Sequence, residues 1–234
     1  MQVMFMSVLI LLPPSEGKNS VEKGKLVNLS SLSFAKELTS TRKKTLEAMG
    51  SKIAKLPTAK AIDVYSGVLY QALDFNSLNA ASKKRALKSI LIISALFGVV
   101  KLDDKIPSYK LDMAKSLPKL GSLNSLWKKV LPQTLEKIKT HLIIDCRSST
   151  YQGVWTPNLN KTVGIRVFTI KNGKKTVVTH MSKKTRGEVT KLLVQSAKTP
   201  KTPQELQKLV NVKFKSELIK PTSKTSWFLD VIAS

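Results

Sequence analysis

Three short stretches of this sequence are apolar almost without a break: Val8 to Leu12, Ile90 to Ser94 and Leu142 to Ile144. A strand with one face in water alternates apolar and polar side chains, so an unbroken run predicts a strand covered on both faces. Such strands need helices packed above and below their sheet, which restricts the chain to a layered α/β architecture. The first run is stopped by Pro13 and Pro14 and hands over to Ser15, Glu16, Gly17 and Lys18, while the third hands over to Asp145, Cys146, Arg147 and Ser148. Ligands in open α/β sheets bind outside the carboxyl ends of the strands, so both charged groups lie where a site is expected.

The rest of the pattern fits that frame. Phe34, Leu38, Leu46 and Met49 recur near helical spacing until Gly50, a second helical stretch follows Pro57, and Ser82 is placed to cap a helix running through Lys88. Leu123 to Lys139 is amphipathic, with Pro132 expected to kink or divide it. Val163–Ile170 and Lys175–Met181 flank Asn172-Gly173, a hairpin signal because that pair accepts positive φ angles. Helices are expected over about 184–197 and 203–210, and a last strand over 227–232; residues 19–32 read as a polar loop. With 234 residues, no repeats and no linker, the expectation is a single compact domain of mixed α/β (α+β) type, a central sheet flanked by helices.

Charge is the unusual property. Forty Lys and Arg against fifteen Asp and Glu give a formal +25, and residues 161–234 alone carry 16 basic and 4 acidic side chains. Such a field draws in polyanions by long-range attraction and counterion release. Thirty-five of the forty cations are Lys, which favours phosphate contact over the bidentate Arg readout of base edges. The single cysteine, Cys146, excludes an internal disulfide, and with two histidines it leaves no Cys/His set for zinc. No cofactor motif is present: Leu12 stands where the first glycine of a Walker A loop belongs and Asn19 where its Ser or Thr belongs. The opening MQVMFMSVLILL lacks a basic n-region and a small-residue cleavage site and is too short to span a bilayer. We therefore expect a cytoplasmic monomer without membrane contact, metal or cofactor.

Three groups carry candidate chemistry. Ser15, Glu16 and Lys18 are presented on a loop after the first strand, with Gly17 allowing close approach; alternatively they are a cap, a helix-start acid and a solvated cation. Asp145 and Arg147, two residues apart at a strand end, bracket a ligand or pair with each other, and Cys146 between them faces the opposite side. Lys183, Lys184 and Arg186 are expected at a helix N-terminus, where cations oppose the helix dipole unless an anion is shared. His180, just upstream, reads as structural.

LLPPSEGK at 11–18, SALFGVV at 94–100 with IPSYKLDM at 106–113, DCRSSTY at 145–151 and KKTRG at 183–187 together resemble the YaaA family of peroxide stress proteins. The blocks occur in the order and spacing of that family and cover most of the chain. The family usually starts just before the LLPPS block, so residues 1–5 read as an N-terminal extension. The resemblance implies a single-domain cytoplasmic protein that responds to hydrogen peroxide, limits free intracellular iron, and binds DNA through a basic cleft and a helix-hairpin-helix-like element. That element falls at 61–73, with its hairpin at Ser66-Gly67-Val68 and Ser66 standing where an apolar residue is usual.

Two functions follow. The leading one is non-specific DNA binding in the oxidative stress response, with Ser15, Lys18, Ser66, Gly67, Arg147, Ser148, Lys183, Lys184 and Arg186 meeting phosphate. It leaves the carboxylates without a role. The alternative is an enzyme acting on a small phosphorylated or carboxylated substrate: Glu16 or Asp145 as general base, Lys18 or Lys183 as nucleophile or clamp, Ser15 and Ser148 orienting the ligand.

Overall fold

The computed structural model describes residues 5–171, 173–177 and 179–233, with backbone alone at Thr179 and His180. The first apolar run becomes strand β1 (Phe5–Leu12), followed by helices α1 (Ala35–Met49) and α2 (Ser51–Ala54), β2 (Thr58–Lys60), α3 (Ala61–Val64), α4 (Val68–Leu73) and α5 (Ala80–Ser89). The second run is β3 (Ile90–Ser94), which turns back as β4 (Gly98–Lys101) ahead of the short β5 (Lys105–Pro107), β6 (Ser116–Leu117) and β7 (Gly121–Ser122). Then come α6 (Leu123–Leu135), the third run within β8 (Lys139–Asp145), α7 (Ser149–Gln152), β9 (Thr162–Lys171), β10 (Lys174–Val177), α8 (Thr179–Gln195), α9 (Pro203–Val210), β11 (Lys215–Ile219) and β12 (Trp227–Ile232).

Eight strands form one mixed sheet in the order β11-β12-β9-β8-β1-β3-β4, with β10 added to β9. β1 runs parallel to both its neighbours, pairing Ile10 with Ile90 and with Ile144. Its alternation sorts the core into two layers. Val8, Ile10 and Leu12 pack beneath Leu69, Leu73, Val189 and Leu193, whereas Met6, Leu9 and Leu11 face Leu131 and the fully buried Trp127 of α6. Each fully buried Leu or Ile here contributes about 1.5–3 kcal/mol relative to exposure. The fold is thus the expected single mixed α/β domain, helices on both sides of a central sheet. No described helix is long and apolar enough to cross a membrane.

Several local expectations change. Asn79, not Ser82, caps α5, its side chain accepting from the Ser82 N–H at 2.9 Å; Ser82 lies one turn in and is buried. Pro132 sits inside α6 without dividing it, and the helix ends at Leu135 so that Lys139 can open β8. The second strand of the hairpin stops at Val177, and α8 starts at Thr179 rather than near 184. Asn172, like residues 1–4, lies outside the described residues; Gly173 beside it has φ 74°, the positive angle such a turn requires.

The β3–β4 turn is held by a side chain to which the sequence pattern assigned no role. Arg42 is fully buried and donates Nε to the Phe97 carbonyl at 3.0 Å and Nη2 to Ser33 and Val99 carbonyls at 2.8 and 2.7 Å. Burial pulls its pKa down to about 10 despite the nearby Asp104.

Candidate functional site

β1 is where the strand order reverses: the chain crosses from β1 to β3 on one side and returns later to β8 on the other. The crevice at such a switch point is the expected ligand position, and it is built from the loop after β1. That loop is fastened to the turn between α3 and α4. Tyr70 donates its hydroxyl to the Pro13 carbonyl at 2.7 Å, the Ser66 N–H donates to Ser15 Oγ at 3.1 Å, and Asn19 donates N–H and Nδ2 to the Val64 and Asp63 carbonyls, both at 2.8 Å. Ser15 Oγ in turn donates to the Gly17 carbonyl. Gly67 is required by this contact, since a Cβ there would lie 2.9 Å from Ser15 Cβ; Gly17 has no such constraint, its Cβ position meeting only Ser66 Oγ at 3.8 Å.

Lys18 leaves the loop toward the protein interior. Its Nζ donates to the Ser15 carbonyl at 2.8 Å and sits 4.4 Å from the Tyr109 ring centroid and 5.6 Å from that of Tyr65. No carboxylate lies within ion-pair distance of it among the described residues. Burial drives its pKa down to about 8, with Glu16 and Asp112 pulling weakly the other way.

Behind Lys18 lies a chain of hydroxyls. Tyr65 and Tyr109 hydroxyls are 2.8 Å apart, Tyr109 is 2.8 Å from Ser94 Oγ at the end of β3, and Ser94 Oγ accepts the Phe97 N–H at 3.0 Å. Tyr65 and Tyr70 stack with centroids 5.4 Å apart, and Tyr151 reaches Asp112 Oδ2 at 3.5 Å. The four tyrosines are all those the chain contains, and each is buried to 6 % exposure or less. Burial raises every one of their pKa values, so the hydroxyls stay protonated. Beside Tyr65 and Ser66 a polar groove of about 420 Å³ runs past Asn19, Asp63, Gln71 and Asp74; its two carboxylates make it a poor seat for phosphate.

The end of β8 is built differently. Arg147 is 1 % exposed, donating Nε and Nη2 to the two oxygens of Asp145 at 2.9 and 2.8 Å, Nη1 to the Tyr151 carbonyl at 3.1 Å and Nη2 also to the Trp155 carbonyl at 3.0 Å. Asp145 Oδ1 also accepts the Arg147 N–H at 3.0 Å. The pair therefore satisfies itself beneath the surface and offers neither a free base nor a free guanidinium. Ser148 is half-buried at the start of α7. Cys146 is fully buried on the face of α8, and desolvation pushes its thiol up to about 12 despite the nearby Arg186.

The third group sits in the second turn of α8, not at its N-terminus, because the helix begins at Thr179. The conflict with the helix dipole disappears with that shift. Lys183 lies 3.3 Å from Glu16 in an exposed pair, Lys184 is exposed, and Arg186 is turned inward with Nε and Nη2 on the Ile165 carbonyl at 3.2 and 3.1 Å. Gly187 lets α8 lie against α4: a Cβ there would fall 2.2 Å from the Leu69 carbonyl oxygen.

The structure thus brings Ser15, Lys18, Ser66 and Gly67 into one cluster, joins Glu16 to Lys183 at its rim, and keeps Asp145 and Arg147 to themselves. The helix-hairpin-helix expectation meets two short helices, α3 of four residues and α4 of six, whose connecting turn faces the Ser15 loop. The side chain of His180 is outside the described residues. Sequence reasoning gave Tyr65, Tyr109, Ser94 and Asp112 no role, although Tyr109 and Tyr151 lie inside the motif blocks and Tyr65 and Tyr70 inside the 61–73 element.

With this geometry in place, the chain can be compared with known proteins. The family model described as peroxide stress protein YaaA matches residues 8–217. The chain belongs to the YaaA family. Among YaaA relatives, the UPF0246 protein SCO2297 of Streptomyces coelicolor is 34% identical over 96% of this chain and 98% of its own length. A UPF0246 protein of Corynebacterium glutamicum is 32% identical over 86% of this chain and 91% of its own length. The matched span runs from inside β1 into β11, so all three motif-bearing loops lie within the YaaA match.

Proposed function

We propose that this YaaA-family protein acts in the cytoplasmic peroxide stress response by binding DNA without sequence preference, helping to limit iron-dependent oxidative damage to it. The observation that supports this reading is the state of the carboxylates in residues 161–234. Asp230 is held by Arg166 and Lys175, Glu217 by Lys175, Glu188 by Lys213, and Glu205 accepts the Lys201 N–H. Every acid of that segment is committed, while Lys171, Lys174, Lys184, Lys208, Lys215 and Lys220 are exposed and, among the described residues, in no ion pair. A segment with spare cations and no spare anions suits the phosphate backbone, and the predominance of lysine suits contact without base readout.

Within this reading Lys183 and Lys184 meet phosphate directly, and the Glu16 carboxylate is displaced from Lys183 when phosphate arrives. Arg186 and Arg147, both engaged inside the protein, hold the scaffold. The test is a fluorescence-anisotropy titration of a short duplex at several salt concentrations. Wild type should bind with an affinity that falls steeply as salt rises, and Lys183→Gln with Lys184→Gln should flatten the log–log slope by about 1.8, at ~0.9 for each phosphate left without its lysine. Glu16→Gln should leave binding equal or tighter. Absence of binding at low salt, or a slope unmoved by the double substitution, overturns the reading.

A further inference from the structure

In the DNA reading above Lys183 and Lys184 meet phosphate directly, while Lys18 is half-buried and enclosed by tyrosines, a setting that supports a separate chemistry. We infer that the Lys18 amine is a nucleophile that condenses with the carbonyl carbon of a small aldehyde at the switch point of the sheet. Four observations carry this. Lys18 projects from the carboxyl end of the central strand, where α/β sheets place reacting groups. Among the described residues its amine makes a single hydrogen bond, to the Ser15 carbonyl, leaving two of its three donor positions unused. It is half-buried over the faces of Tyr109 and Tyr65, where loss of hydration disfavours the ammonium against the attraction of the ring faces for it. The groups that face it are the Glu16 and Asp112 carboxylates, the two tyrosine rings and the Ser15 carbonyl, and neither acid is near enough to pin the charge.

A lysine with a pKa of about 8 is roughly one-quarter neutral at pH 7.5, against on the order of one part in a thousand for an exposed lysine. The surroundings also select the electrophile. Acyl transfer needs convergent N–H donors for an oxyanion, and the Ser66 and Asn19 N–H groups are committed to Ser15 Oγ and the Val64 carbonyl. Imine formation also places charge on oxygen, but solvent water can protonate it as the C–N bond forms. The nitrogen lone pair forms the C–N bond while the carbonyl π pair moves to oxygen; oxygen takes a proton from water and nitrogen gives one up, leaving a carbinolamine, whose hydroxyl takes a second proton and departs as water while the nitrogen lone pair closes the C=N bond and the nitrogen returns its second proton to solvent. Amine and aldehyde yield imine and water, with no change of oxidation state.

The test is competitive reductive alkylation of the wild-type protein, free of DNA, with propanal and cyanoborohydride, followed by peptide mass mapping across pH 6.5–10.5. Lys18 should be alkylated at least roughly tenfold faster than exposed lysines at pH 7.5, and its rate should level off above about pH 8 while theirs keeps rising. The fast-labelled peptide should disappear in Lys18→Arg. Labelling of Lys18 at or below the rate of exposed lysines, or a rate that climbs with theirs toward pH 10.5, overturns the inference. Because no DNA is present, the result is independent of the anisotropy titration.

Discussion

The ends of β1 and β8 are neighbours in the sheet and alike in sequence, each setting a carboxylate two residues before a cation. Glu16 and Lys18 diverge: the acid turns out toward Lys183 and the amine turns in over Tyr109. Asp145 and Arg147 converge into a bidentate pair, closed further by the Tyr151 and Trp155 carbonyls. A planar guanidinium with a fork of donors can satisfy a carboxylate and two carbonyls at once, whereas an ammonium on a flexible stem cannot. One strand end is therefore finished as structure, and the other is left with chemistry unspent.

The largest effect that tests this contrast comes from the closed end. Arg147→Met strands the Asp145 charge in the interior and should cost about 3–5 kcal/mol in urea unfolding, with Asp145→Leu added to the same chain recovering much of the loss. Destabilisation below about 1 kcal/mol would mean that the pair is not the anchor of the β8 end. Next comes the packing that holds the open end in place. Gly187→Ala forces a methyl into the Leu69 carbonyl and should cost about 1–3 kcal/mol, measured in the same way.

The open end should respond with the opposite sign. Lys18→Met removes a desolvated cation and should raise stability at pH 7 by roughly 1 kcal/mol, or about 2–4 °C in Tm, a figure kept small because the side chain is partly solvated. The lysine binds its proton less tightly folded than unfolded, so between about pH 8 and pH ~10.5 the unfolded state carries the extra proton and wild-type stability rises relative to the variant. The advantage of Lys18→Met should therefore be full below pH 8 and gone near pH 10.5; a constant gain across that range would contradict it. Smallest of all, Cys146 should show no modification by iodoacetamide or hydrogen peroxide under native conditions by intact mass, because the thiol is buried and protonated.

What could be read from sequence in this molecule was local or periodic. The apolar runs placed β1, β3 and β8 because a strand buried on both faces leaves that mark, and Pro203 and Trp227 set the starts of α9 and β12 through capping and β-propensity. The start of α8 was missed by about five residues, since Thr179 to Ser182 carry no helix signal against a strand-like Thr-Val-Val run. At the site, the motifs located the residues but not their partners. Nothing in the spacing of Lys18 foretells Tyr109, which reaches it from beyond β5, and only tertiary packing decides that Arg147 folds back on Asp145 while Lys18 does not reach Glu16.

The pairing of β1 bears on how the chain is made. Its most apolar strand is also nearly its first, yet Leu11 finds one neighbour only when Leu91 has been synthesised and the other only with Asp145. At ~5–20 residues per second that wait is on the order of ten seconds or more. During it FMSVLILL has two unpaired edges, and pairing across such sequence separations is slow in itself. The nascent chain thus spends its most aggregation-prone interval before the switch point exists, and truncated products ending short of Asp145 leave β1 with an open edge.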